Sequence, residues 1–138
     1  MFTGSYTTDA FQLALLTGYI AGKTFKLALY DSTATLNAQT PAYTTSGEVV
    51  GTGYTAGGKV VAATVATVNG AGVLSFAAPS WTGATFTARG AMIYDSTTGG
   101  NPAIYIGDFG LDVSKTAATF TITMPTADEN NGLIVLRT

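Results

Sequence analysis

The stretch that decides the fold lies in the middle of the chain, at Phe86–Gly110, and reads FTARGAMIYDSTTGGNPAIYIGDFG. An apolar run ends in Tyr-Asp-Ser-Thr, a Gly-Gly-Asn-Pro breaker follows, and a second apolar run returns. Two β-rich runs on either side of such a breaker predict a β-hairpin. The remaining strands are expected to assemble around it.

The register of this hairpin predicts an ion pair. A turn centred after Thr98 sets Arg89 opposite Asp108 on one face. The same register sets Met92 opposite Tyr105. A carboxylate paired with arginine is held ionised and is a poor acid or base, so we interpret the pair as a lock on the register. Asp108→Ala should lower stability or assembly without loss of any activity.

Further strand signals recur along the chain. Thr24–Tyr30 alternates, with Phe25 and Leu27 on its apolar face, and predicts a half-buried strand. Tyr-Asp-Ser-Thr occurs at 30–33 and again at 94–97, where Asp and Ser would close the turn that ends a strand. Further apolar runs lie at Lys59–Val68, Val73–Ala78, Thr119–Met124 and Leu133–Leu136.

About eight strands with regularly spaced turn signals predict an all-β fold, an antiparallel β-sandwich or barrel-like domain. Asn69-Gly70 predicts a two-residue hairpin turn between the runs that flank it. Lys59–Val68 is small and apolar on both faces, so this run is expected to be central or buried by another copy.

The N-terminal region contains the single helix candidate. Residues 9–17 can form a short helix that Gly18 ends, with Phe11 and Leu15 on its apolar face. The favoured interpretation is a helical lid over an open end of the β domain, and the alternative is a partner-binding helix.

Residues 1–8 lack periodicity and predict an extended arm ahead of one β domain over 9–138. Phe2 and Tyr6 in this arm are candidates for contacts with a neighbour.

Ser46–Gly58 is dense in glycine and superficially suggests a phosphate cradle. No Lys-Ser/Thr follows the last glycine, and no helix pattern supplies an N-terminus for a phosphate. We therefore expect a looped, bulged connection whose glycines adopt positive φ.

The composition argues against an enzyme. The chain contains neither His nor Cys, the commonest general base and the thiol nucleophile. Asp95 is interpreted as a turn residue. No serine has a histidine as its base; a Ser-Lys dyad is the alternative, but no spacing supports it. No catalytic residue, cofactor or metal is therefore predicted. Asp128–Asn131 could supply oxygen ligands for calcium, but this segment with Gly132 is better explained as a turn.

The charge argues against nucleic acid and membrane partners. The net charge is −2 with six cations, whereas nucleic-acid binding needs a basic patch. Lys23 and Lys26 are expected on a solvated strand edge. No apolar run approaches the roughly 18 residues of a membrane span, and no signal peptide is predicted. Charged residues make up 10% of the chain against about 25% in typical domains, which favours association through neutral surfaces.

Trp81 is the largest apolar side chain and begins a predicted strand. We expect it to anchor the core or an interface. The alternative is a stacking platform for a sugar, in a glycan-binding face with tyrosines that include Tyr54.

Nearly the whole chain, from about Asp9 to Thr138, resembles small structural proteins of tailed bacteriophages. The segments that carry the resemblance are Lys26–Tyr30, Glu48–Gly58, Ala88–Tyr94 and Asp108–Gly110. The resemblance implies a non-enzymatic virion component, and no catalytic residue is carried over with it.

Capsid decoration (cement) proteins of this size often sit on the head shell as trimers or dimers. The leading hypothesis is therefore a homo-oligomer that binds the major capsid protein or other virion proteins. The alternative is a head-fibre, tail or baseplate module with a glycan-binding face. A carbohydrate-active enzyme would require two carboxylates that converge in a cleft.

Overall fold

The structure is a computed structural model that describes residues 17–37, 39–68, 71–123 and 134–136. The predictions for the N-terminal arm, for Phe2, Tyr6, Phe11 and Leu15, and for the turn at 128–132 lie outside the described residues. The chain divides into two compact units. The larger unit is Lys23–Val61 with Ala78–Ile122, and the smaller is Met1–Gly22, Ala62–Ala77 and Thr123–Thr138.

The predicted all-β class with antiparallel sheets and one short helix is confirmed. The larger unit has a four-stranded sheet in the order β2-β1-β5-β6, and the smaller unit has a three-stranded sheet in the order β3-β4-β7. The strands are β1 (Phe25–Tyr30), β2 (Lys59–Val61), β3 (Ala63–Val68), β4 (Ala71–Phe76), β5 (Ser80–Asp95), β6 (Ala103–Thr121) and β7 (Ile134–Leu136).

The helix ends later than predicted. Residues 17–20 are helical, and the Ala21 N–H donates to the Thr17 carbonyl at 2.9 Å. The left-handed residue that terminates a helix is Gly22, with φ of 71°, and not Gly18.

Strand β1 is buried on both faces, so the prediction of a half-buried strand is wrong. Ala28 and Tyr30, on the face expected to meet solvent, are 0% and 1% exposed. The connection that follows β1 covers this face, because Leu36 and Tyr43 pack against it. β1 is also paired on both edges, with β2 and β5.

The apolar run from Lys59 to Val68 is not one strand. It breaks at Ala62 into β2 and β3, which belong to different sheets. Each of the two is an end strand of its own sheet. The expectation of a central strand is therefore wrong, and Val60 is 62% exposed. Its burial by another copy stays a prediction.

The hairpin predicted around Asn69-Gly70 is confirmed by its strands, since Val68 pairs with Ala71 across the β3–β4 ladder. Strand β7 then pairs with β4, with Leu74 opposite Ile134. The turn residues themselves are outside the described part of the chain.

The central hairpin forms between β5 and β6, but its predicted register holds only next to the turn. Tyr94 pairs with Ala103 as expected. One position further, Ile93 pairs with Tyr105, so one extra residue of β6 forms a bulge. Beyond it the register is shifted by one, and Met92 lies opposite Ile106 instead of Tyr105.

A second, larger bulge divides the hairpin. Gly90 pairs with Asp108 and Ala88 pairs with Val113, so Arg89 alone lies opposite residues 109–112. Gly110 adopts a φ of 82° within this bulge. The strand pair is therefore offset by three residues between its two halves.

The half of the hairpin beyond this bulge is held by aromatic side chains. Tyr54, Trp81, Phe86 and Phe120 form a cluster with ring centroids 5.2–6.1 Å apart. A two-stranded ribbon is marginal by itself, so this cluster supplies the apolar packing that it needs.

Candidate binding loop

The glycine loop, Ser46–Gly58, lies along two strands of the larger unit. The Val49 N–H donates to the Leu29 carbonyl of β1 at 3.0 Å, and the Thr85 N–H of β5 donates to the Thr52 carbonyl at 2.9 Å. The predicted looped connection is confirmed, and four of its glycines, Gly47, Gly53, Gly57 and Gly58, have positive φ, whereas Gly51 does not. Its backbone is fastened to β1 and β5.

Two glycines show how closely the loop approaches those strands. A Cβ on Gly51 would lie 2.6 Å from the Thr85 carbonyl oxygen and 2.7 Å from Phe86 Cβ. A Cβ on Gly58 would overlap the Leu27 carbonyl, and Gly58 also has a φ of 80°. Only glycine allows the loop backbone to pack directly on the sheet at these positions.

Glu48 fastens the loop from within. Its side chain is buried, and each oxygen accepts hydrogen bonds. Oε2 accepts from the Tyr43 hydroxyl at 2.5 Å, and Oε1 accepts from the Tyr54 hydroxyl at 2.6 Å and the Gly57 N–H at 2.7 Å. Charge-assisted bonds of this kind are the strong ones, and they join both ends of the loop.

Tyrosine hydroxyls extend the network into the sheet. The Tyr54 hydroxyl accepts from the Leu29 N–H at 3.0 Å while it donates to Glu48. The Tyr94 hydroxyl donates to the Gly57 carbonyl, and the Tyr30 hydroxyl donates to the Thr44 carbonyl, both at 2.6 Å. Hydrogen bonds that connect in this way favour one arrangement of the loop.

Burial keeps these hydroxyls protonated. Desolvation raises the pKa of Tyr30 to about 12, and it also raises the pKa of Tyr94. Desolvation and the hydrogen bond to Glu48 together raise the pKa of Tyr43 and of Tyr54. All four tyrosines are therefore neutral donors at ordinary pH, and the network acts as a fixed support.

The outward side of the loop is apolar at Val50. This side chain is 94% exposed, although its neighbour Val49 is buried and Glu48 beside it is held by three hydrogen bonds. Glu48 was not among the residues predicted from the sequence. The only signal was an isolated carboxylate in a loop of Gly, Thr and Tyr, and the loop alone does not place Tyr43 and Tyr54 on either side of it.

The structure brings the predicted pair Arg89 and Asp108 together, although Asp108 pairs with Gly90 in the ladder. Arg89 Nε lies 3.3 Å from Asp108 Oδ1, and the bulge also brings Asp112 Oδ1 to 3.7 Å from Arg89 Nη1. The Gly110 N–H and then Arg89 lower the pKa of Asp108. Arg89 is about half exposed and Asp108 is mostly exposed, so solvent screens the pair and it contributes little to stability.

Trp81 is a core residue. Its side chain is 2% exposed, within the aromatic cluster, and Lys59 Nζ lies 5.5 Å from its ring centroid. The interpretation of Trp81 as a sugar platform is wrong, because stacking requires an accessible ring face. Tyr54 lies in the same cluster and donates to Glu48.

The repeated Tyr-Asp-Ser-Thr segments end their strands as predicted. Asp31 Oδ1 accepts from the Thr33 N–H at 2.8 Å, and Asp95 Oδ1 accepts from the Thr97 N–H at 2.9 Å. Asp95 is fully buried and has a further partner in Lys23, whose Nζ lies 3.4 Å from Oδ2. The expectation of Lys23 on a solvated edge is therefore wrong.

A shallow cleft of about 300 Å³ lies on the larger unit. Asp31, Arg89 and Asp108 line it together with apolar side chains such as Leu36 and Ile106. Both carboxylates already accept hydrogen bonds, Asp31 from Thr33 and Asp108 from Gly110. In the described part of the chain, no group of three Asp or Glu side chains is placed to hold a metal ion.

Comparisons with protein-family models, curated proteins and solved structures gave no match for this chain. Over the described residues, no helix is both long and apolar enough to pass through a membrane.

Proposed function

We propose that this chain is a non-enzymatic structural protein of a tailed-phage virion, specifically a decoration protein that self-associates and binds the outer face of the head shell. The observation that carries the proposal is the clamped glycine loop. It holds Val50 in one position at the surface, 94% exposed. The resemblance of the sequence to phage structural proteins supplies the class of partner.

The support for Val50 is costly, which favours a binding role. Burying a carboxylate is unfavourable unless several donors compensate, and Glu48 has three. A loop fixed before binding loses little conformational entropy when a partner arrives. A rigid loop with an apolar tip is therefore suited to dock repeatedly on identical sites of a lattice.

The composition supports the same role. With 10% charged residues, copies of this chain repel one another weakly and can pack densely. The carboxylates considered above are engaged in turns, ion pairs or the Glu48 network, an arrangement that favours structure over acid–base chemistry. The proposed partners are the major capsid protein and further copies of the chain.

The test is binding of the purified chain to heads of the source phage prepared without this protein. Val50→Asp should weaken co-sedimentation about tenfold or more, because a charge would be buried at the contact. Val60→Asp is the comparison variant, since Val60 is also exposed but lies on β2, and it tests separately whether another copy covers this run. Both variants should keep the melting temperature of the wild type.

Two results would refute parts of the proposal. If the wild type binds heads no better than an unrelated protein of similar charge, the decoration role is wrong. If Val50→Asp binds as tightly as the wild type, the glycine loop is not the contact. Deletion of residues 1–8 should also weaken binding while the fold stays intact. Undiminished binding would show that the arm does not contribute to the contact with the head.

A fibre, tail or baseplate station remains the second candidate for the place in the virion. Its glycan-binding version is disfavoured, because Trp81 and Tyr94 are 2% and 3% exposed. Imaging of labelled protein on intact particles would distinguish a location on the head from a location on the tail.

A further inference from the structure

The rings of Tyr43 and Tyr94 are stacked on one another in the larger unit. Their centroids lie 4.6 Å apart, and their planes are inclined by 22°. Tyr43 belongs to the connection that follows β1, whereas Tyr94 lies on β5, so the contact joins positions that are distant in the sequence. At this separation, carbon atoms of the two phenol rings are close to van der Waals contact.

The two phenols differ in the group that accepts their proton. The Tyr43 hydroxyl donates to Glu48 Oε2 at 2.5 Å, whereas the Tyr94 hydroxyl donates to the Gly57 carbonyl at 2.6 Å. A phenol loses an electron more easily when its proton can move to a base in the same step. A carboxylate is a much stronger base than a backbone carbonyl. Tyr43 is therefore favoured as a site of one-electron oxidation.

Tyr54 shares the carboxylate but not the ring partner. Its hydroxyl donates to Glu48 Oε1 at 2.6 Å, and its ring contacts Trp81 and Phe86 with centroids 6.1 and 5.9 Å away. Tyr43 thus combines a proton acceptor with a stacked tyrosine. The chain also contains no cysteine, whose thiolate would otherwise intercept an oxidant.

We propose that Tyr43 and Tyr94 form a dityrosine cross-link within one chain when the protein meets a one-electron oxidant. In the first step, the oxidant takes an electron from Tyr43 while the phenolic proton moves to Glu48. The ortho carbon of this radical then bonds to the ortho carbon of Tyr94. A second equivalent of oxidant takes one electron from the joined rings.

The step balances without any further reactant. Two ring C–H bonds break and one C–C bond forms between the ortho carbons. Two electrons pass to two equivalents of the oxidant, and two protons leave to water, one of them by way of Glu48. Both phenol hydroxyls are restored in the product.

The cross-link would be a covalent support in a chain that has no disulfides. It joins the connection after β1 to β5 and encloses the whole glycine loop, Ser46–Gly58. A link between distant positions restricts the unfolded chain and thereby stabilises the fold. This inference concerns the chain by itself and does not depend on binding to phage heads.

The first experiment oxidises the dilute, purified full chain with photogenerated tris(bipyridine)ruthenium(III), using a cobalt(III) ammine as the electron acceptor. Low protein concentration suppresses links between molecules. We expect dityrosine fluorescence, a monomer mass lower by two hydrogens, and a proteolytic fragment in which Tyr43 is joined to Tyr94. Fragmentation of this product by mass spectrometry identifies the linked residues.

Three variants test the assignment of the rings. Tyr43→Phe and Tyr94→Phe should each abolish the linked fragment, because each retains a ring but lacks the phenol. Tyr54→Phe is the matched control, since it also removes a hydrogen bond to Glu48. In this control the link between positions 43 and 94 should persist. Its loss in Tyr54→Phe, or its survival in Tyr43→Phe, would contradict the proposal.

The second experiment tests Glu48 as the proton acceptor. In the wild type, the rate of link formation should not depend on the concentration of buffer base, because the acceptor is already in place. Glu48→Gln should slow the link about tenfold or more in dilute buffer. Tyr43 is half-buried, so phosphate can reach it and should recover part of the rate. A slower rate that phosphate does not change would overturn this role of Glu48.

Unfolding in urea tests the effect of the link on stability. The oxidised wild type should unfold at a higher urea concentration than the untreated chain, whereas oxidised Tyr43→Phe should gain nothing. Oxidation confined to Trp81 or to exposed tyrosines such as Tyr19, with no fragment that joins 43 and 94, refutes the inference. The virion role is tested separately by binding to heads and stands or falls without this result.

Discussion

Glu48 and Asp95 are buried carboxylates with different kinds of support. Glu48 receives its donors from a distance, from Tyr43, Tyr54 and the Gly57 backbone. Asp95 receives most of its donors from the turn that it begins. Burial of either charge without these donors would be unfavourable by several kcal/mol.

Replacement of Glu48 should destabilise the chain in a graded way. Glu48→Ala removes the acceptor of three donors and should lower the free energy of unfolding by about 3 kcal/mol. Glu48→Gln should cost about 1 kcal/mol, because the amide oxygen still accepts and the Tyr43 hydroxyl can accept from the amide nitrogen. Urea unfolding measures both. Equal midpoints for all three chains would contradict the network.

The two Asp residues of the repeated motif form a matched pair. Asp95→Asn should lower the free energy of unfolding by about 2–3 kcal/mol, since Asp95 is fully buried and also contacts Lys23. Asp31→Asn should cost about 1 kcal/mol or less, because among the described residues the side chain of Asp31 accepts from Thr33, near the surface. If both substitutions lower the free energy of unfolding equally, burial does not explain the contribution of Asp95 to stability.

Asp95 also predicts acid sensitivity. Desolvation raises the pKa of this carboxyl, but the hydrogen bonds from Thr98 and Thr97, together with Lys23, outweigh it and lower the pKa from 3.8 to about 2. Its stabilising contribution of about 2 kcal/mol is complete above pH 4 and is lost as the pH falls from 4 towards 2. Urea unfolding at several pH values in this range should show that the free energy of unfolding changes less with pH for Asp95→Asn than for the wild type.

At the scale of elements, the glycine loop depends on close contact with β5. Gly51→Ala should lower the free energy of unfolding by about 1–3 kcal/mol, because the added methyl would overlap the Thr85 carbonyl and Phe86. Gly99→Ala is the control, since no atom lies within 4 Å of its Cβ position. It should change stability by less than about 0.5 kcal/mol. Similar values for both would mean that the loop can move away from the strand.

The hairpin register depends on bulges and apolar packing more than on its ion pair. Solvent screens the exposed pair of Arg89 and Asp108, so Asp108→Ala should barely change the free energy of unfolding. Phe120→Ala, in the aromatic cluster, should cost about 3–5 kcal/mol. Denaturant unfolding compares them. A large effect of Asp108→Ala would restore the interpretation of the pair as the register lock.

At the scale of the whole molecule, two buried tyrosines, Tyr30 and Tyr94, and two half-buried ones, Tyr43 and Tyr54, predict alkaline unfolding. Their pKa values are raised by burial, so folding favours the neutral hydroxyl. This contribution is complete below the ordinary pKa of 10 and is lost as the pH rises towards 12 and above. Tyrosinate absorbance should therefore appear in two stages, and the second should coincide with loss of β circular dichroism. A single stage in a folded chain would contradict the burial.

The sequence by itself determined the local structure. Period-two apolar runs, Asn-Gly and Gly-Gly-Asn-Pro breakers, and the Tyr-Asp-Ser-Thr exits act within a few residues, so strands, hairpins and the glycine-rich connection could be predicted. The pairing of Tyr94 with Ala103 followed from the turn for the same reason. The predicted register was wrong beyond Ile104, because no local pattern in the sequence distinguishes a bulged residue from a paired one.

Only the tertiary structure decided which carboxylate is buried and which face is covered. Tyr43 and Tyr54 lie on either side of Glu48 in the chain, but their hydroxyls converge on it only because the loop folds back onto β1. The polar-looking face of β1 is buried because the connection that follows β1 folds back and packs on it. Such contacts depend on the path of the whole chain, and burial in turn determines which hydrogen bonds stabilise the fold.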